Sequence, residues 1–138
     1  MRSTATTPVD TAGFHVSNLE IERMFFEARN EYLAGIDIDD LWHRPVVPLL
    51  RELSTRFESE VVGGADLECA TWVSSRSRRS FVMEQWLVDR SSGGVAATCR
   101  SVHVTVGAEG AVEIPDDLWS AIERRNGGPT ESGATERA

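Results

Sequence analysis

The segment from Ser17 to Gly35, SNLEIERMFFEARNEYLAG, does most to limit the folds open to this 138-residue chain. Ile21, Met24, Phe25, Ala28 and Tyr32 recur at helical spacing on one face, and Leu19, Phe26 and Leu33 form a second apolar strip. Glu20, Arg23, Glu27 and Glu31 fill the remaining stripe, where Arg23 can pair with Glu27 one turn on. Ser17 followed by Glu20 fits a capping box, which starts the helix near Asn18. Gly35 is placed to end it as a left-handed terminator. A helix with two apolar strips has to be covered on two sides. It is wrapped by a sheet or wedged into a subunit contact rather than laid on a surface.

An acidic linker holding Asp37, Asp39 and Asp40 follows, and then four segments that read as strands: Val46 to Phe57, Leu67 to Ser74, Ser80 to Asp89, and Val95 to Val106. Leu67, Cys69, Thr71 and Val73 alternate with Asp66, Glu68, Ala70 and Trp72, the period of two expected of a half-covered strand. The run DRSSGG from Asp89 to Gly94 is turn chemistry and predicts an antiparallel hairpin. Pro115 opens a short closing helix, with Asp116 and Asp117 in the first turn, where the helix dipole favours acids. Short links leave no room for crossover helices, so the sheet is antiparallel, the class is α+β, and doubly wound folds are excluded. One domain spans residues 10–125, after a flexible lead at 1–9 and before a tail at 126–138 that lacks the apolar residues needed to offset its ordering entropy.

Charge and composition narrow the partners. The net charge is −8, and all 14 basic residues are arginine. An acidic surface repels a polyanion, which argues against nucleic-acid binding, although a local arginine cluster can still take a small anion. The sequence has no run of about 18 apolar residues and no signal-like start, so no membrane association is expected and a cytoplasmic location is. Cys69 and Cys99 sit inside alternating apolar runs and read as buried, reduced thiols. His43 and His103 are isolated, so no metal site and no cofactor are expected, and Ser80 has no nucleophile-elbow context.

The stretch HVSNLEIERMFFEARNEYLAGI resembles, without a gap, the helix signature of hotdog-fold acyl-CoA thioesterases of the 4-hydroxybenzoyl-CoA thioesterase superfamily. The matching residues are His15, Val16, Ser17, Asn18, Phe25, Phe26, Glu27, Ala28, Arg29, Tyr32, Leu33 and Gly35. Pro45 to Phe57, Gly64 with Asp66, GGVAATCRSVHVTV and EIPDDLWSAI are similar to later family segments, and the likeness covers about residues 10 to 123. The resemblance implies a curved antiparallel sheet around one long central helix. It also implies a homodimer or a dimer of dimers, with the thioester placed near each helix N-terminus. The implied substrates are acyl-CoA or acyl-carrier-protein thioesters, hydrolysed to a free acid and a thiol. Asp10-Thr11-Ala12-Gly13 resembles the family's Asp-Pro-Ala-Gly loop, which marks Asp10 as the candidate working carboxylate.

Thioester hydrolysis needs a base or nucleophile at the carbonyl carbon and donors where charge builds on the oxygen. Asp10 can attack directly or polarise a water, and it is equally ordinary turn chemistry. His15 can orient the carboxylate or donate to the thioester, and Asn18 can hold the loop or a water or simply cap the helix. Backbone N–H groups of the turn from Gly13 through Val16 and Ser17 to Asn18 are the expected oxyanion donors. Glu27 and Arg29 read as an ion pair, and the capping box accounts for Glu20. Arg76, Arg78 and Arg79 in the turn SSRSRRS are a seat for coenzyme A phosphates or a solvated turn. The alternative function is a non-hydrolytic hotdog protein, either a module binding acyl thioesters or apolar ligands or a dehydratase-like enzyme.

Overall fold

Alternating apolar residues in four long segments can bury one side only if the strands share a face, and they do. A computed structural model describes the backbone of residues 2–6 and the whole of residues 17–127. In chain order the elements are β1 (Arg2–Thr6), α1 (Asn18–Ala34), a single 3-10 turn (Leu41–His43), β2 (Val47–Phe57), β3 (Asp66–Arg76), β4 (Ser80–Asp89), β5 (Val95–Gly107), β6 (Gly110–Ala111) and α2 (Asp116–Asn126). The strands form one sheet in the order β1-β3-β4-β5-β2, with β6 paired to β5, and all pairings are antiparallel. Residues 2–6, which the sequence places in the lead ahead of the domain, supply the edge strand against β3. Asn126, assigned to the tail, is the last residue of α2; residues 128–138 lie outside the described residues.

The inner face of the sheet carries the core in two clusters. Ile21, Met24, Phe25 and Ala28 of α1 pack with Leu67, Cys69, Leu87, Ala97 and Cys99. Tyr32 and Leu33 pack farther along with Val73, Phe81, Met83 and three residues of α2, Leu118, Ala121 and Ile122. Each fully buried large side chain, such as Phe25 or Leu67, contributes about 1.5–3 kcal/mol. Two helices, not one, therefore fill this face, and the expectation of a single central helix is corrected to that extent. Asn126 fastens the second to the first: its Oδ1 accepts from the Tyr32 hydroxyl at 2.6 Å and from the Val73 amide at 3.0 Å, and its Nδ2 donates to the Val73 carbonyl at 2.8 Å.

Two local expectations change. Gly35 ends α1 with φ −89°, a right-handed conformation, so it is not a left-handed terminator. The missing Cβ leaves room there for the Arg125 guanidinium, whose Cζ would lie 2.7 Å from an added Cβ. Glu27 and Arg29 do not pair: Glu27 accepts from Arg23 at 3.0 Å, while Arg29 turns under the helix and is only 7% exposed. The opposite faces of an α-helix are about two residues apart, so neighbours at i and i+2 cannot meet.

Candidate functional site

Ser17 caps α1 in extended geometry, and its Oγ accepts from the Glu20 amide at 3.2 Å. Only half of the expected capping box forms, because the Glu20 carboxylate accepts instead from Arg23. The Ile21 amide bonds the Ser17 carbonyl, so the amides of Asn18 and Leu19 remain without a partner among the described residues. Asn18 lines a pocket of about 500 Å³, together with Ser17 and Ile21 of α1 and Phe57, Glu58, Ser59, Glu60 and Val61, and Leu19 is the next residue along the helix. A cavity of this size at the positive end of a helix can accept an anion or a developing oxyanion.

Of the residues singled out in the sequence, Ser17 and Asn18 are at this pocket. Asp10, Gly13, His15 and Val16 lie outside the described residues. The three arginines are elsewhere. β3 starts beside the first half of α1, where Leu67 meets the Ile21 cluster, and ends beyond its second half, where Val73 meets Tyr32. The turn after Arg76 is therefore at the far end of the sheet, about 33 Å of extended strand from Asp66. There Arg76 stacks over Trp119 with Cζ 4.7 Å from the ring centroid, and Arg78 pairs with Glu113 at 2.8 Å. Arg79 is exposed and has no ion pair among the described residues.

Sequence reading does not single out the pocket segment 57–61, since only the fold joins it to the helix end. Glu22 escapes it as well. It is half-buried, and one of its oxygens accepts from the Thr55 hydroxyl of β2 at 3.1 Å. Thr55 in turn lies 3.7 Å from the Cys99 thiol, which is 3.6 Å from Nη1 of Arg29.

That contact leads into a polar belt between the two apolar clusters. Arg29 donates to Oε1 of Gln85 at 3.1 Å, and Nε2 of Gln85 donates to the Phe25 carbonyl at 3.0 Å and to the Thr71 hydroxyl at 3.2 Å. His103 stacks on Phe81, with ring centroids 5.2 Å apart, and its Nε2 lies 3.0 Å from Oγ of Ser101. Burial, and then the Arg29 charge, push the His103 ring down to about 4, which keeps it neutral near pH 7. Cys69 and Cys99 are free, buried thiols, as expected. Burial raises both, Cys69 to about 11, which makes them poor nucleophiles. No His, Cys, Asp and Glu grouping suited to a metal occurs among the described residues, and no described helix is long and apolar enough to cross a membrane.

The fold is an α+β scaffold in which an antiparallel sheet covers a helix, with a pocket at that helix's N-terminus. The sequence profile of the thioesterase-like superfamily matches residues 6–122, and the chain belongs to that family. Among solved structures it is similar to the PA5185 protein of Pseudomonas aeruginosa PAO1, at 24% identity over 95% of this chain and 94% of that one, with a TM-score of 0.75. It is similar to YbaW, a probable thioesterase from Escherichia coli, at 16% identity over 91% and 98% with a TM-score of 0.78. A Thermus thermophilus thioesterase solved with coenzyme A and zinc shares 20% identity over 93% and 95%, with a TM-score of 0.75. The sheet and helix fit the hotdog fold of these relatives. A search of curated protein sequences finds no match.

Proposed function

We propose that the chain is a thioesterase that hydrolyses an acyl-CoA thioester to a free acid and a thiol, with an acyl-carrier protein as the other donor it would accept. The observation that carries this reading is the pocket at the start of α1, lined by Asn18, whose amide and that of Leu19 have no partner among the described residues, in a chain of the thioesterase-like superfamily. Asp10 is the carboxylate that attacks the carbonyl or activates a water, and His15 orients it. Asn18 holds the loop or the water, and backbone amides from Gly13, Val16 and Ser17 onward receive the oxyanion. The working unit is a homodimer joined along β2, itself able to pair into a tetramer. A two-fold axis across that edge reverses strand direction, which carries the partner's Arg76, Arg78 and Arg79 turn to the end where this protomer's α1 begins. There Arg79 has its guanidinium free for a coenzyme A phosphate. The protein is expected in the cytoplasm and to need no cofactor.

Thiol release from a panel of acyl-CoAs, wild type against Asp10→Ala, is the test. Turnover by the wild type and a fall of about 100-fold or more in the variant are expected. Coenzyme A binding without turnover of any thioester would replace this reading with that of a binding module.

A further inference from the structure

Three carboxylates lie in the first three turns of α1, and two of them are spent on a cation. Glu20 and Glu27 share Arg23 on the solvent side. Glu22 has no cation within ion-pair distance among the described residues, and it accepts a hydrogen bond from a neutral hydroxyl, that of Thr55. Its neighbours are apolar. Leu19 and Phe26 flank it along the helix, and Leu53 and Phe57 stand beside Thr55 on β2, all four left exposed by this protomer. A solvated surface glutamate would be more exposed and free of the sheet.

Its placement relative to the pocket is what gives it a use. Glu22 is four residues after Asn18 and three after Leu19, so the three share one helix face with a rise of about 6 Å from Asn18. Helical side chains lean toward the N-terminus, so Glu22 stands next to the turn whose amides have no partner among the described residues, with its carboxylate held toward Thr55 of β2. The next residue back, Ile21, lines the pocket, and so does Phe57, two residues along the same face of β2 from Thr55.

We propose that Glu22 is a second acid–base residue of this site, an inference that rests on the thioesterase reading. On the route in which Asp10 polarises the water, the Glu22 carboxylate takes the water's proton as the water oxygen bonds to the thioester carbonyl carbon. The carbonyl oxygen becomes an oxyanion beside the Asn18 and Leu19 amides. Collapse of this intermediate restores the C=O bond and breaks the C–S bond, and the proton held on Glu22 passes to the departing thiolate. One water is consumed, and one acid and one thiol leave.

Glu22→Gln tests the role against a purely structural one, because its amide oxygen still accepts from Thr55 while the side chain can no longer carry a proton. The expected result is a fall in kcat of about 100-fold or more with unchanged melting temperature and coenzyme A affinity, and partial recovery in Glu22→Asp. If the wild type turns over acyl-CoA and Glu22→Gln stays within about threefold of it, Glu22 has no chemical part and the thioesterase reading stands. If the wild type releases thiol from no thioester, the thioesterase reading fails and takes this inference with it.

Discussion

His103 occupies a position where gaining a proton is costly, and this has a consequence for stability. Its ring is 5% exposed, stacked on Phe81 and close to the Arg29 guanidinium, and titrates near 4 instead of 6.5. The native pKa is depressed, so the unfolded chain binds the proton first as pH falls below 6.5. Stability is fully present above that pH and is lost progressively down to about 4, by as much as about 3 kcal/mol. His103→Gln keeps a polar group for Ser101 and removes the titration. Urea midpoints at about pH 7.5 and about pH 5 should differ less in the variant than in the wild type, and equal differences would show that the ring does not govern this window. The same residue shows what pattern reading misses. Alternation puts His103 on the inner face of β5 without saying that Arg29 lies above it. Arg29 itself reads in sequence as one half of a surface ion pair, because spacing ranks helical neighbours and cannot weigh a contact such as Gln85, 56 residues away.

Strands and helices are legible where a period runs long enough to be counted. β4 matches its expected range, β2 and β5 differ from theirs by one residue at one end, and α1 starts at Asn18 because Ser17 is a working cap. β1 is not legible, since a short Thr- and Ala-containing segment becomes a strand only by pairing with β3. Gly35 misleads for a related reason. A glycine after a helix signals a left-handed turn only when no neighbour demands the missing Cβ, and here Arg125 does. The two helix-ending glycines should therefore respond differently to alanine. At Gly35 the backbone is unstrained and the displaced atoms are the mobile end of an arginine, so Gly35→Ala should cost less than about 0.5 kcal/mol. At Gly127 φ is +91° with open space around it, so Gly127→Ala should cost about 1 kcal/mol through the backbone alone. Chemical denaturation of the two variants checks the ordering, and a larger loss at Gly35 would show that Arg125 is held fast.

At the scale of the molecule, the sequence indicates that α1 needs two covers, and the described residues of the chain supply only one. Leu33 of the second strip is buried, but Leu19 is 79% and Phe26 54% exposed. Beside them, the inner face of β2 leaves Leu50, Leu53 and Phe57 each 45–49% exposed. β2 is also a sheet edge of eleven residues whose outer side pairs with no other strand among the described residues. Pro48, Arg51, Glu52 and Arg56 lie on this edge strand and limit where another chain can pair, and in the dimer proposed above a second copy would cover the strip and the remaining part of the row. Leu50 and Leu53 pair with His103 and Ser101 across β5, so carboxylates placed there would face the partner without opening the protomer's own core clusters. The double variant Leu50→Glu, Leu53→Glu should halve the mass seen by light scattering while keeping its circular dichroism. If the two-protomer site proposed above is correct, thiol release should fall by at least about tenfold in the same sample, because the partner's arginines leave with the partner. A wild type that runs as a monomer, or a double variant that keeps the dimer mass, would remove the β2 junction, and with it the only route by which those arginines reach the pocket.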